Sequence, residues 1–167
     1  MPDRKTIEKA QEDKREGKSA STQAGEFVKA EIDKVRQGKH GVRSPKQAIA
    51  IGLSEARRAG VDLPPPGKGT AKKSTRKHAK YAYEAGQHKR KTTRRPKVSR
   101  AVTEVLRHEP KGTVSHHALS RQTRTASAHR SAASRSRAAK KGARTKGTAR
   151  RKMAASKAAR TRARHHS

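Results

Sequence analysis

The chemistry open to this chain is that of its cations. Of 167 residues, 45 are Lys or Arg and 13 are Asp or Glu, a formal charge of +32 with His neutral. Ammonium and guanidinium groups bind phosphate oxygens and release the counterions condensed around them, so association with a polyanion is favourable whatever its sequence. Two runs of bases are expected to do this. The first is Lys72, Lys73, Arg76, Lys77, Lys89, Arg90, Lys91, Arg94 and Arg95. The second is Arg121, Arg124, Arg130, Arg135, Arg137, Lys140, Lys141, Arg144, Lys146, Arg150, Arg151, Lys152, Lys157, Arg160, Arg162 and Arg164. The acids thin out toward these runs. Residues 1–62 hold ten acids and 14 bases, and residues 63–109 hold Glu84, Glu104 and Glu109 against 14 bases. Residues 110–167 hold 17 bases and no acid. Nucleic acid is the abundant intracellular polyanion that such a gradient suits.

Other chemistries fare worse. Cysteine is absent, which removes disulfides, thiolate metal sites and Cys nucleophiles. The pairs His116-His117 and His165-His166 cannot share a helix face, and no carboxylate beyond Glu109 is available to complete a metal site. Gly67-Lys68-Gly69-Thr70 lacks the G-x-x-x-x-G-K-[ST] spacing of a phosphate loop. The Lys-Gly-Thr triplet recurs at 111–113 and 146–148 with irregular spacing, as composition alone would give. Tyr81 and Tyr83 lie in a basic stretch and could stack on bases, but two residues apart on a helix they point to different faces. The sequence predicts no enzyme, no cofactor, no metal and no small-molecule substrate.

The elements that carry these residues are predicted to be all α-helical. Leu, Ile, Val and Phe together number 17, about a tenth of the chain, too few for one large core at this net charge. A small helical module is expected over 1–63. Its first helix runs from about Asp3 to Glu16 and stops at Gly17, with Ile7 and Ala10 inward. The second runs from near Thr22 to Gly38, with Phe27 beside the stripe Val28, Ile32 and Val35. The third has Ser44 as cap, Pro45 in the first turn, Gln47 at capping-box spacing and Gly60 as the left-handed stop before Val61. Ile49, Leu53 and Ala56 form its predicted inner face, Ile51 falls off that stripe, and Gly52 permits close approach of another backbone. QGKHGVRS at 37–44 is too long for a helix-turn-helix connection. Lys46, Gln47, Arg57 and Arg58 also offer little for reading bases, so a plain helical hairpin is the better reading.

Residues 64–74, with three consecutive prolines, are predicted to be a linker. Residues 75–119 read as short basic helices: Thr75 to Ala85, then a stripe of Val98, Val102, Val105 and Leu106 closed by Pro110, then a helix from about Thr113 containing Val114, Ala118 and Leu119. Residues 120–167 are an Ala/Arg/Lys/Ser/Thr tract, expected to be largely disordered or singly helical: disordered when free and partly helical on a polyanion, since like charges repel and no packing compensates.

STQAGEFV at 21–28 and GKHGVRSPKQAIAIGLSEARRAGVDLPPP at 38–66 resemble a family of small basic bacterial proteins carrying a domain of unknown function. The resemblance covers roughly residues 1–66 and implies a bacterial source and a small helical module, with no activity or catalytic residue to transfer. The tail resembles those of histone H1-like nucleoid proteins in composition, though it is less rich in Lys and Pro. The expected function is non-sequence-specific DNA binding and compaction by charge neutralisation, with DNA preferred over RNA. The alternatives are an RNA-binding or ribosome-associated basic protein, and a protein engaging polyphosphate or an anionic membrane. MPDRKTIEKAQEDKREGK at the start has no apolar signal region and no stretch reaches membrane-spanning length, so a soluble protein of the cytoplasm and nucleoid is expected.

Overall fold

A computed structural model describes residues 2–91 and 95–165 of the chain. Among them are seven α-helices: α1 (Arg4–Arg15), α2 (Ala20–Arg36), α3 (Pro45–Arg58), α4 (Lys73–Gly86), α5 (Pro96–His108), α6 (His116–Ala128) and α7 (Ala132–His165). A 3-10 turn, Gly112–Val114, precedes α6. The chain divides into two units, residues 1–122 and 123–167.

In the first unit α2 is the hub, packed on α1 and α3, and α4 packs on α3. Helix borders follow local chemistry. Ser44 accepts a hydrogen bond from Gln47 N (3.4 Å), and the Gln47 side chain accepts one from Arg43 N (2.9 Å), one residue upstream of a standard capping box. At the other end Gly60 takes φ 89°, Gly60 N donates to Arg57 O and Val61 N to Ala56 O, and Val61 is buried. That is a complete Schellman stop, as the sequence predicts.

The inner face of α3 differs from the sequence expectation. Ala48, Gly52 and Ala56 are its fully enclosed positions, and Ile49 belongs to neither core cluster. The cause is the α2–α3 crossing. A Cβ on Gly52 would lie 2.6 Å from Val28 Cα, so small residues must occupy the line of contact and larger ones flank it. Leu53 then turns toward one cluster (Ala10, Ala24, Phe27, Ala56, Val61), and Ile51 toward another (Val35, Val42, Ala48, Val114).

The line of α2 that faces inward is Ala24, Phe27, Glu31 and Val35, while Val28 and Ile32 are half-buried. Glu31 is a charged residue in the core. Burial raises its pKa, partly opposed by His40, whose Nε2 lies 3.4 Å from Oε1 without hydrogen-bond alignment. Asp13, also buried, is held by Lys18 at 2.7 Å, and this bond together with Glu16 raises the Lys18 pKa.

The second cluster is closed from far along the chain. Val114 is fully buried against Val35 and Val42. Around it Gly41 N donates to Leu106 O (2.7 Å), Val42 N to Pro110 O (3.0 Å), Thr113 Oγ1 to Val42 O (2.6 Å) and Arg36 Nε to Val114 O (3.1 Å). Arg43 pairs with Glu109 at 3.0 Å. Gly41 is required here, because a Cβ would collide with the Glu109 carbonyl.

Over residues 120–165 the expectation of a disordered tail is overturned. Residues 120–165 fall in α6 and α7 wherever they are helical, and α7 alone spans 34 residues, broken at Gly147. Local chemistry accounts for it. Ala, Arg and Lys are strong helix formers, and two serines cap the starts: Ser115 Oγ accepts from Ala118 N and Ser131 Oγ from Ser134 N, both at 3.2 Å. α7 is interrupted at Gly147, whose φ of 67° and ψ of 169° leave the helical region.

Candidate nucleic-acid interface

α4 is built with two faces. Ala79, Ala82 and Gly86 are buried against α3, which leaves Lys73, Lys77, Lys80 and Tyr81 outward. The helix closes on a left-handed residue that is not glycine: His88 has φ 56°, with His88 N donating to Ala85 O and Lys89 N to Glu84 O. This turn sends the basic loop back along the helix. Arg90 reaches Glu84 at 3.5 Å and lies over the Tyr81 ring, 4.8 Å from its centroid. The two tyrosines have separate surroundings. Tyr83 donates to Asp62 (2.6 Å), a bond that raises the Tyr83 pKa, and it ties α4 to the end of the module.

Of the first predicted run, Lys72, Lys73, Lys77, Lys89, Arg90, Lys91 and Arg95 are exposed, and Arg76 is half-buried with its Nε enclosed. Arg94 lies outside the described residues. Six exposed bases between residues 63 and 119 were missed by the sequence reading: Lys68, Lys80, Lys97, Arg100, Arg107 and Lys111. Lys80 follows Lys73 and Lys77 at i+7 and i+3, so helical spacing would have found it. Lys97 and Arg100 occupy the polar side of α5, whose Val98, Val102 and Val105 are also exposed.

Arg57, considered from sequence as a base-reading residue of the third helix, is buried. Its Nε donates to Leu63 O (3.1 Å) and Nη1 to Leu53 O (3.4 Å), and burial lowers its pKa. Gln47 is occupied in the cap. The helix-turn-helix alternative therefore loses two of its four candidate contacts.

In the second run, every named base from Arg121 to Arg164 is exposed. α7 carries 13 of them at positions that fall on all sides of its axis. Arg135 donates to Arg130 O (2.8 Å), and Arg151 to Gly147 O (3.3 Å). Among the described residues no group of three His, Asp or Glu could hold a metal ion, and no helix is long and apolar enough to cross a membrane.

Residues 4–69 match the model of a family of unknown function, DUF6496. The match spans α1 to α3 and supports the sequence resemblance to a domain of unknown function. It ends before α4 and well before Val114, so the segments that cover α3 and complete the second cluster lie beyond it. No curated protein and no solved structure matches the chain.

Proposed function

We infer that the protein binds duplex DNA without sequence preference and compacts it by neutralising phosphate charge, in the nucleoid of a bacterium. The observation that carries this reading is the second unit: every described base there is exposed, and no acid follows Glu109. At 1.5 Å per residue the two helical segments of α7 on either side of Gly147 measure about 22 and 27 Å, each with one positive charge per roughly 4 Å. A duplex carries one phosphate per roughly 1.7 Å of its axis, so each base on α7 can find a phosphate without a fixed register. Bases on every side of a helix address more than one duplex at once, which favours bridging. No side chain is braced against a base edge, so affinity should not depend on sequence.

The test is a chain ended after Ser115. It keeps Val114 and all 13 acids and loses 16 bases, leaving 29. Duplex affinity should fall at least about tenfold near physiological salt. If roughly eight phosphates are released, the slope of log K against log salt should become shallower by about 7. Scrambling 116–167 at fixed composition should leave both quantities nearly unchanged. A scramble that loses affinity would mean a shaped site instead of charge density. Displacement of duplex by structured RNA at equal phosphate concentration and matched salt would move the assignment to RNA.

A further inference from the structure

The Tyr81 ring has no packing task that explains it. Phe27 is enclosed in the core and Tyr83 is bonded to Asp62, whereas Tyr81 is 39% exposed on the outward face of α4. Beside it opens a hollow of about 400 Å³ lined by Lys77, His78, Lys80, Tyr81, Glu84 and Arg90. The guanidinium of Arg90 covers part of the ring, and the left-handed turn at His88 holds that loop in place. Lys80 and Arg90 both contact Glu84, at 3.6 and 3.5 Å, so the one acid of the hollow orients two of its cations. An aromatic ring with a cation on it and further cations around it suits a flat, π-rich ligand that carries phosphates.

Resting on the reading that the chain binds nucleic acid, we propose that Tyr81 and Arg90 form a stacking site for one unpaired nucleobase of a single strand, with Lys77 and Lys80 on the flanking phosphates. A paired base inside a duplex cannot present its face to the ring, so this site discriminates single from double strands where the α7 bases do not.

The chain has two tyrosines and no tryptophan, which makes tyrosine emission a local reporter. In full-length Tyr83→Phe, Tyr81 is the sole fluorophore. Titration with a 12-mer of dT or of U, with binding followed by the anisotropy of a label on the strand, should quench Tyr81 at least about twofold. An abasic 12-mer and a 12-base-pair duplex should bind and leave the emission nearly unchanged. The reciprocal variant Tyr81→Phe, which reports only Tyr83, should show no quenching by any of them. Quenching by dT alone assigns the strand to DNA, by U alone to RNA, and by both to the base without regard to sugar. Strands that bind without quenching Tyr81, or an abasic strand that quenches equally, overturn the stacking site and leave charge-driven binding standing. If neither strands nor duplex bind, the nucleic-acid reading falls and the site with it.

Discussion

Val114→Ala probes whether residues outside the family match complete the module. Val114 is fully buried among Val35, Val42 and Ala48, with Ile32 and Ile51 packed around them. Alanine removes two methyl groups, worth about 1.6 kcal/mol of transfer free energy at ~0.8 kcal/mol each. Little collapse is possible, because hydrogen bonds from Val42, Thr113 and Arg36 fix the surrounding backbone. A cavity of about 50 Å³ left unfilled adds roughly 1 kcal/mol at ~24 cal/mol per Å³. The expected cost is about 2–3 kcal/mol, or a fall in Tm of roughly 6–12 °C for a unit of this size. Calorimetry is the appropriate assay. The cooperative transition belongs to the packed unit, while a helix such as α7, with no buried residue to lose, melts gradually and absorbs little heat in that transition. Val102→Ala is the matched control: the same atoms are removed from a side chain 53% exposed on α5, and the change should stay within about 0.5 kcal/mol. Equal shifts for the two variants, or a Val114→Ala shift under about 1 °C, would refute the closure of the core by Val114.

Three further outcomes are expected. A chain ended at residue 69, the limit of the family match, should lack a cooperative transition, whereas one ended after Ser115 should retain it, both read by calorimetry. Burial raises the folded-state pKa of Glu31 above its unfolded value, so the folded protein holds the extra proton between the two and stability falls as pH rises through that interval. Glu31→Gln, facing His40, Lys34 and Glu55, should flatten that part of the stability–pH curve in denaturant titrations, and an unchanged slope would count against the burial argument. Arg57→Met should cost roughly 1–3 kcal/mol by removing the donor to the Leu63 and Pro64 carbonyls, and should leave duplex affinity nearly unchanged in the same preparation.

Local signals in the sequence carried far, because caps and stops are written in adjacent residues. Ser44, Gln47 and Gly60 bound α3 as expected, and Gly52 marks the helix crossing it was expected to permit. The face of α2 was harder to read. A stripe drawn through apolar residues passes over Glu31, and nothing nearby signals that a carboxylate occupies the inward position. Val114 is further out of reach, since its partners Arg36 and Val42 lie more than 70 positions away and leave no periodicity. The tail was misjudged by weighing charge repulsion above propensity and overlooking Ser115 and Ser131 as caps. The bases of the interface were legible as a list. The turn that brings Arg90 onto Tyr81 was not, because it depends on His88 adopting a conformation usually left to glycine.

The placement of Val114 bears on the order of events during synthesis. At 5–20 residues per second, roughly 2–9 s separate the appearance of residue 69 from that of Val114. Throughout that interval the nascent helices have their first cluster available and their second one open. Val114 immediately precedes α6, so the residue that closes the module is made just before the acid-free cationic helices begin. A ribosome that stops short of it releases a chain whose open core marks it for proteolysis. Closure of the core and acquisition of the arm are therefore separate events in synthesis: the fold is complete at Val114, and the bases from Arg121 onward are added to a module that is already closed.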